Sequence, residues 1–185
     1  MKTLVVIDAQ NDFITGSLGS KEAQEILPKI VEYVKNFDGS VFYTMDEHWD
    51  DDESQEIQKF GLHCVVDTVG RKIPQELEVE LEKKDAQCFC KETFMVTHGY
   101  EEEDLDYAIY QVYDDYNVED QENTVYLCGY CTDICVLNNA LYLRSNLPND
   151  KIVVLKDLCC GTSKEMHEKA LDVMRVNVIE VEESV

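Results

Sequence analysis

Positive charge is what this chain has least of. Its 16 Lys and Arg stand against 39 Asp and Glu, a formal net charge of -23 over 185 residues. No Lys/Arg cluster interrupts the deficit, so nothing offers a basic footprint to a phosphate backbone, and no nucleic-acid partner is expected. An anionic membrane surface is disfavoured on the same ground. No window approaches the ~20 apolar residues of a membrane span. The opening MKTLVVIDAQNDF has one Lys, a short apolar run (LVVI) and no cleavage site after it, so a signal peptide is not expected. A cytoplasmic location follows as the expectation. Thiols stay reduced there, and the eight cysteines are then not a disulfide framework. With no internal repeat, low-complexity tract or linker, a single domain over residues 1–185 is the simplest organisation.

What is present is an alternation of two patterns. KTLVVID (2–8), SVFYT (40–44), AQCFCKE (86–92), TVYLCG (124–129), KIVVLKD (151–157) and NVIEV (177–181) read as strands. Between them, apolar residues recur at intervals of three or four. Ile26, Ile30, Val34 and Phe37 mark one helix, and PQELEVELEKK (74–84) a second with Pro74 in its first turn. Leu105, Ala108, Ile109 and Val112 mark a third, along which Tyr107, Tyr110, Tyr113 and Tyr116 lie three apart as a packing or oligomer stripe. A helix follows TVYLCG directly, and Thr162 with Glu165 reads as the capping box of another. Met45 to Ile73 shows no periodicity and reads as a long functional loop. The alternation predicts an α/β fold: a three-layer α/β/α sandwich around a mainly parallel, doubly wound sheet of about six strands.

In such a sheet, ligands bind beyond the carboxyl ends of the strands. Asp8 ends the first strand, Lys91 ends CFCK, and Cys135 opens the helix after TVYLCG. These residue types make a coherent set. A thiol with an ordinary pKa of about 8.5 is mostly protonated at neutral pH. A helix N-terminus and an ammonium stabilise its thiolate, and a carboxylate can move its proton. Taken singly, Asp8 reads as a helix cap, Lys91 as a surface lysine and Cys135 as a small buried hydrophobe.

DAQNDF (8–13), the Lys after a short strand, and GYCTDICV (129–136) resemble the isochorismatase-like cysteine hydrolases over nearly the whole chain. TMDEH (44–48) and GLHCVVDTVG (61–70) resemble the metal site of the nicotinamidase/pyrazinamidase branch. The resemblance implies Cys135 as nucleophile, Asp8 as acid/base and Lys91 as thiolate stabiliser. It implies a cis Tyr130–Cys131 peptide, and an oxyanion hole from the amides of Cys131 and Cys135. Phe13 and Phe60 would flank the substrate. Asp46, His48 and His63 would hold a divalent metal, with zinc favoured and iron or manganese compatible; no organic cofactor is expected. The implied reaction deamidates nicotinamide, or a pyrazinamide-like amide, to the acid and ammonia through a thioester. The implied partner is a small-molecule amide, and family members are often dimers or larger, so a homo-oligomer is expected.

Several positions depart from the nicotinamidase pattern and bear on the substrate. Phe60 stands where Trp is common, Asp67 replaces a Gly, and KETFMVTHGY (91–100) lacks a small, Ser/Tyr-rich character. The alternatives are a family hydrolase of another small amide or carbamoyl compound, a vinyl-ether hydrolase, and a non-catalytic binding protein of the same fold. A zinc site of Cys128, Cys131 and Cys135, completed by Cys159 or Cys160, is the rival reading of the cysteines. Otherwise Cys128 reads as core, and Cys88, Cys90, Cys159 and Cys160 as packing at strand ends. Asp12 reads as a hydrogen-bonding residue near the site, and Asp133 as a cap for its own helix.

Overall fold

The computed structural model describes residues 1–96, 105–109 and 123–184. Strands β1 (Lys2–Ile7), β2 (Ser40–Asp46), β3 (Gln87–Lys91), β4 (Thr124–Tyr130), β5 (Lys151–Cys160) and β6 (Glu180–Glu182) form one sheet in the order β3-β2-β1-β4-β5-β6. All five pairings among them are parallel. The continuous apolar runs have this cause. A strand covered by helices on both faces buries every side chain, as Leu4, Val5, Val6 and Ile7 do.

The helices are α1 (Asn11–Ile14), α2 (Lys21–Asn36), α3 (Gln55–Phe60), α4 (Gln75–Lys83), α5 (Leu137–Asn146) and α6 (Lys164–Val176), and residues 105–109 are also helical. The chain winds from β1 to β3 toward one sheet edge and from β4 to β6 toward the other. Right-handed crossovers then place α2 and α4, which pack on each other, on one face, and α5 and α6 on the opposite face. The direction of winding reverses between β1 and β4, the topological switch point where open parallel sheets bind ligands. Among the described residues no helix is long and apolar enough to cross a membrane.

Register brings the strand ends level. Ile7 pairs with Gly129 across the switch point, and Asp46 with Lys91 on the outer pair. Gly129 sits at φ +125°, and a Cβ there would collide with the Ile7 carbonyl oxygen. Only glycine lets β4 approach β1 this closely. Asp8, the next residue after β1, has φ 45°, a left-handed conformation that Asp tolerates better than most residues.

The structure differs from the sequence expectation at several local points. Ser163, not Thr162, caps α6: it is extended, and its side chain accepts from the Met166 amide. Thr162 instead bonds Asp133 through both its amide and its hydroxyl. Asp133 therefore staples the β5–α6 turn rather than capping its own helix. The segment after β4 opens as a π-turn, Thr132–Val136, before α5 begins. The loop from Met45 to Ile73 contains α3. Cys128, Cys159 and Cys160 are buried as expected, but Cys90 is exposed and Cys88 half-buried, because β3 lies at the edge of the sheet. Leu105 and Ile109 are buried and Tyr107 is exposed; Val112, Tyr110, Tyr113 and Tyr116, and residues 97–100 of the stretch after Lys91, lie outside the described residues.

Gly129→Ala is expected to destabilise the fold by at least ~2 kcal/mol, since it adds both strain at positive φ and a backbone clash. Urea denaturation compared with wild type checks this; an unchanged midpoint would contradict it.

Candidate active site

Side chains from the ends of β1 and β3 and from the turn that follows β4 meet beyond the carboxyl ends of the strands. Lys91 Nζ lies 2.7 Å from Asp8 Oδ2 and 3.7 Å from Cys135 Sγ. All three residues are buried, Asp8 completely. Thr44, on β2 between the strands that carry Asp8 and Lys91, donates its hydroxyl to Asp8 Oδ1 at 2.6 Å and accepts the Asp8 amide at 3.1 Å. Asn139, buried on α5, donates to the Cys135 carbonyl at 2.8 Å and accepts the Val96 amide at 3.0 Å. It joins the turn that carries Cys135 to the segment that leaves β3.

Burial dominates the protonation of this trio. It raises the Asp8 carboxyl above the usual carboxylate range, although Lys91 pulls the other way. It also lifts the Cys135 thiol well above its ordinary value; Lys91 opposes this, while Asp8 and Asp46 add to it. Burial alone would lower Lys91, but Asp8, Cys135 and Asp46 hold its ammonium charged. These directions favour an ammonium at Lys91 and a protonated thiol at Cys135, with the Asp8 carboxyl as the group placed to move the thiol proton.

Asp46 joins this trio to a second cluster. Its Oδ1 lies 3.0 Å from Lys91 Nζ, and its Oδ2 lies 3.1 Å from His48 Nε2 and 3.2 Å from His63 Nε2. Glu56 Oε1 closes the group at 4.0 Å and 3.6 Å from the same two nitrogens. These four ligand atoms lie within 4.8 Å of one another. The outer imidazole nitrogens are engaged: His48 Nδ1 is 2.7 Å from Asp52 Oδ2, and His63 Nδ1 is 2.8 Å from the Gly61 carbonyl. Partners of this kind fix the tautomer of the neutral ring, the form that binds a metal, so that Nε2 is then the inward-facing donor of each histidine.

The donor set fits a divalent cation. Two imidazoles and two carboxylates suit zinc, iron or manganese. Ligands ~2.0–2.2 Å from a tetrahedral centre stand ~3.3–3.6 Å apart, close to the spacings observed. The charge agrees: hydrogen bonds to Asp46, Glu56 and Gly61 carry the His63 imidazole up to about 10 against a burial that would lower it. Burial would raise Asp46, but His48, His63 and Lys91 hold it below the usual range. The cluster attracts positive charge.

Backbone contacts fasten the cluster to the sheet. Gln10, fully buried, donates to the carbonyls of Asp46 and Arg71, both at 2.8 Å, and accepts the Asp46 amide at 2.7 Å. Asp12 Oδ2 accepts the Cys64 amide at 2.8 Å, which ties the His63 segment to α1. This is the hydrogen-bonding part expected of Asp12. Glu56, Asp52 and Gln10 were not singled out in the sequence. The acidic run around residues 46–53 carried the only hint, and it reads as well as a solvated surface.

A cleft of about 280 Å³ reaches a member of each cluster. Cys135, with Cys131 and Tyr130, lines it together with His63 and Glu56, and Phe13 and Phe60 are also in the wall. Phe13 packs edge-on against His63, ring centroids 5.5 Å apart. The Tyr130–Cys131 peptide is cis. The structure thus brings together Asp8, Lys91 and Cys135, sets Asp46, His48 and His63 beside them, and places both phenylalanines on the same cleft. No cysteine group able to hold a metal occurs among the described residues, which removes support from the rival zinc reading.

Comparison with known proteins agrees with this geometry. The isochorismatase domain family matches residues 2–183. Among curated proteins no sequence matches the chain at a significant level. A nicotinamidase from Bacillus subtilis superposes with a TM-score of 0.79 at 27% identity, over 98% of this chain and 99% of its own. The pyrazinamidase of Pyrococcus horikoshii, solved in complex with zinc, gives 0.75 at 26% identity over 99% of both chains. The yeast nicotinamidase bound to nicotinaldehyde gives 0.81 over 100% of both, at 21% identity, a likeness of fold alone. From a family match spanning nearly every residue, on a sheet with the winding that its strands predicted, this chain belongs to the isochorismatase family.

Proposed function

We propose that this hydrolase is a metal-containing cysteine amidohydrolase that converts nicotinamide, or a pyrazinamide-like amide, to the carboxylic acid and ammonia. One observation carries the reading: a single small cleft is lined both by Cys135, which Lys91 and Asp8 support from behind, and by His63 and Glu56 of the His/carboxylate cluster. A planar substrate with a carboxamide on one side of a ring and a ring nitrogen on the other can meet both chemistries at once. The similarity to nicotinamidases and a zinc-bound pyrazinamidase supports it.

Asp8 takes the thiol proton as Cys135 Sγ attacks the amide carbon, and Lys91 Nζ stabilises the sulfur as charge develops. The carbonyl oxygen becomes an oxyanion held by the amides of Cys131 and Cys135, each donor contributing about 3 kcal/mol. Asp8 returns its proton to the leaving nitrogen, the C–N bond breaks, and ammonia departs, leaving a thioester on Cys135. Asp8 then deprotonates water, which attacks the thioester and frees the acid and the thiol. The upward shift of the Asp8 carboxyl makes it a stronger proton acceptor than an ordinary carboxylate, in keeping with this role. Asp46, His48, Glu56 and His63 would hold the metal, which when bound supplies a Lewis-acidic anchor for the ring nitrogen. Phe13 and Phe60 confine the ring and exclude water.

Ammonia release from nicotinamide tests the reading. The metal-loaded enzyme is expected to turn over nicotinamide, and Cys135→Ala to lose about 10³-fold or more of kcat. Turnover of other small amides or carbamoyl compounds without nicotinamide would move the assignment to a different substrate in the same family. Full activity in Cys135→Ala would remove the mechanism.

Asp52 orients His48 without joining the donor set. Asp52→Asn is therefore expected to weaken metal affinity by about 10–100-fold. His63→Ala is expected to weaken it further. Metal content after dialysis against a graded chelator, read by elemental analysis, checks both; wild-type retention in both variants would refute the cluster as a metal site.

A further inference from the structure

One group of nucleophilic side chains lies outside the cleft. Cys88 and Cys90 stand two apart on β3, on the same face of an edge strand. Cys90 is exposed and Cys88 half-buried. Arg71 Nη2 lies 3.4 Å from Cys90 Sγ, and Arg71 is itself held by an ion pair to Glu47. The neighbouring Cys88 thiol, helped by the guanidinium, holds the Cys90 thiol down to about 6 against partial burial and Glu47. Cys88 is raised, first by Cys90 and then by burial. Burial raises the other six, Cys64, Cys128, Cys131, Cys135, Cys159 and Cys160. An exposed sulfur against a guanidinium, with a second, less exposed thiol two residues away on the same strand face, is an arrangement suited to an attacking and a resolving thiol, and the opposite shifts of the two thiols agree with it.

We propose that Cys88 and Cys90 form a peroxide-reactive dithiol in which Cys90 attacks and Cys88 resolves. Cys90 thiolate attacks one oxygen of hydrogen peroxide; the O–O bond breaks and hydroxide leaves. The sulfur is oxidised by two electrons to a sulfenic acid and the peroxide is reduced. Cys88 then loses its proton and attacks the Cys90 sulfur. The S–O bond breaks, water departs and a disulfide forms, so that two thiols and one peroxide give one disulfide and two waters. Residues i and i+2 of a strand stand ~6.6 Å apart. That is near the ~6.8 Å upper end for disulfide-linked Cα atoms, so closure draws in the end of β3. An edge strand, paired on one side only, can yield in this way. The next residue is Lys91, and oxidation is therefore expected to displace its ammonium and lower hydrolysis. That consequence rests on the proposed function; the thiol chemistry does not.

The test uses the full-length, metal-loaded protein, treated with about one equivalent of peroxide, alkylated and cut with trypsin. The peptide 85–91, DAQCFCK, carries both sulfurs and no other cysteine. Wild type is expected to lose two hydrogens from this peptide and regain them with dithiothreitol. Cys88→Ser is expected to stop at a sulfenic acid on Cys90 that dimedone captures, and Cys90→Ser to leave Cys88 reduced. In parallel, nicotinamide hydrolysis should fall several-fold and recover with reductant in wild type, and hold steady in Cys90→Ser, whose basal activity is unchanged. A peptide that stays reduced while Cys135 or another cysteine takes up oxygen would overturn the proposal. An oxidised peptide with full activity would uphold the dithiol and refute its link to Lys91. Absence of any nicotinamide turnover would count against the proposed function and leave the peptide readout decisive.

Discussion

The buried ammonium of Lys91 is the constraint on which the site depends. It lies between Asp8 and Asp46 and touches the sulfur of Cys135. Two carboxylates and a thiol this close could not share a buried space without it. Removing one partner of a buried pair typically costs ~3–5 kcal/mol, because the remaining charge is left uncompensated. Asp46 makes the same lysine part of the second cluster: one carboxylate oxygen faces the ammonium and the other faces both imidazoles. The Asp8–Lys91–Cys135 trio and the candidate metal site are thus two ends of one electrostatic chain.

The fold supplies this chain through register rather than through any one motif. Parallel winding sets all strand carboxyl ends on one rim, and the reversal between β1 and β4 leaves a crevice there. The pairing of Asp46 with Lys91, and of Ile7 with Gly129, brings the reactive groups to the same height. Gly129 permits the close approach of β4, and Gln10 fixes the backbone of Asp46 through both its amide and its carbonyl and ties it to the Arg71 carbonyl. The acidity of the chain, a liability for binding anions, is at home around a cluster that would hold a cation.

The strands were legible in the sequence because apolar runs such as LVVI and IVVL need two covered faces. The meeting of Asp8, Lys91 and Cys135 was legible only jointly, from their places at one rim of the sheet and from the motifs DAQNDF and GYCTDICV, since each residue alone reads as ordinary. Glu56 was not legible. It sits in α3, a helix of six residues with none buried, so no apolar period marks it. Asp52 and Gln10 act through partners 4 and 36 residues away, which no spacing rule reaches. The cap of α6 moved from Thr162 to Ser163 because Asp133 claims the threonine, a tertiary contact overriding a local pattern. Edge position, likewise, set the exposure of Cys90.

The central claim is that the sulfur held by Lys91 and Asp8 becomes covalently acylated. Rapid acid quench of the metal-loaded enzyme during turnover of nicotinamide, followed by intact-mass and peptide analysis, tests it most directly. A nicotinoyl group on Cys135, labile to hydroxylamine, is the result this account predicts. Steady release of ammonia with no acyl group on Cys135 at any quench time, or with the acyl group on another residue, would contradict it.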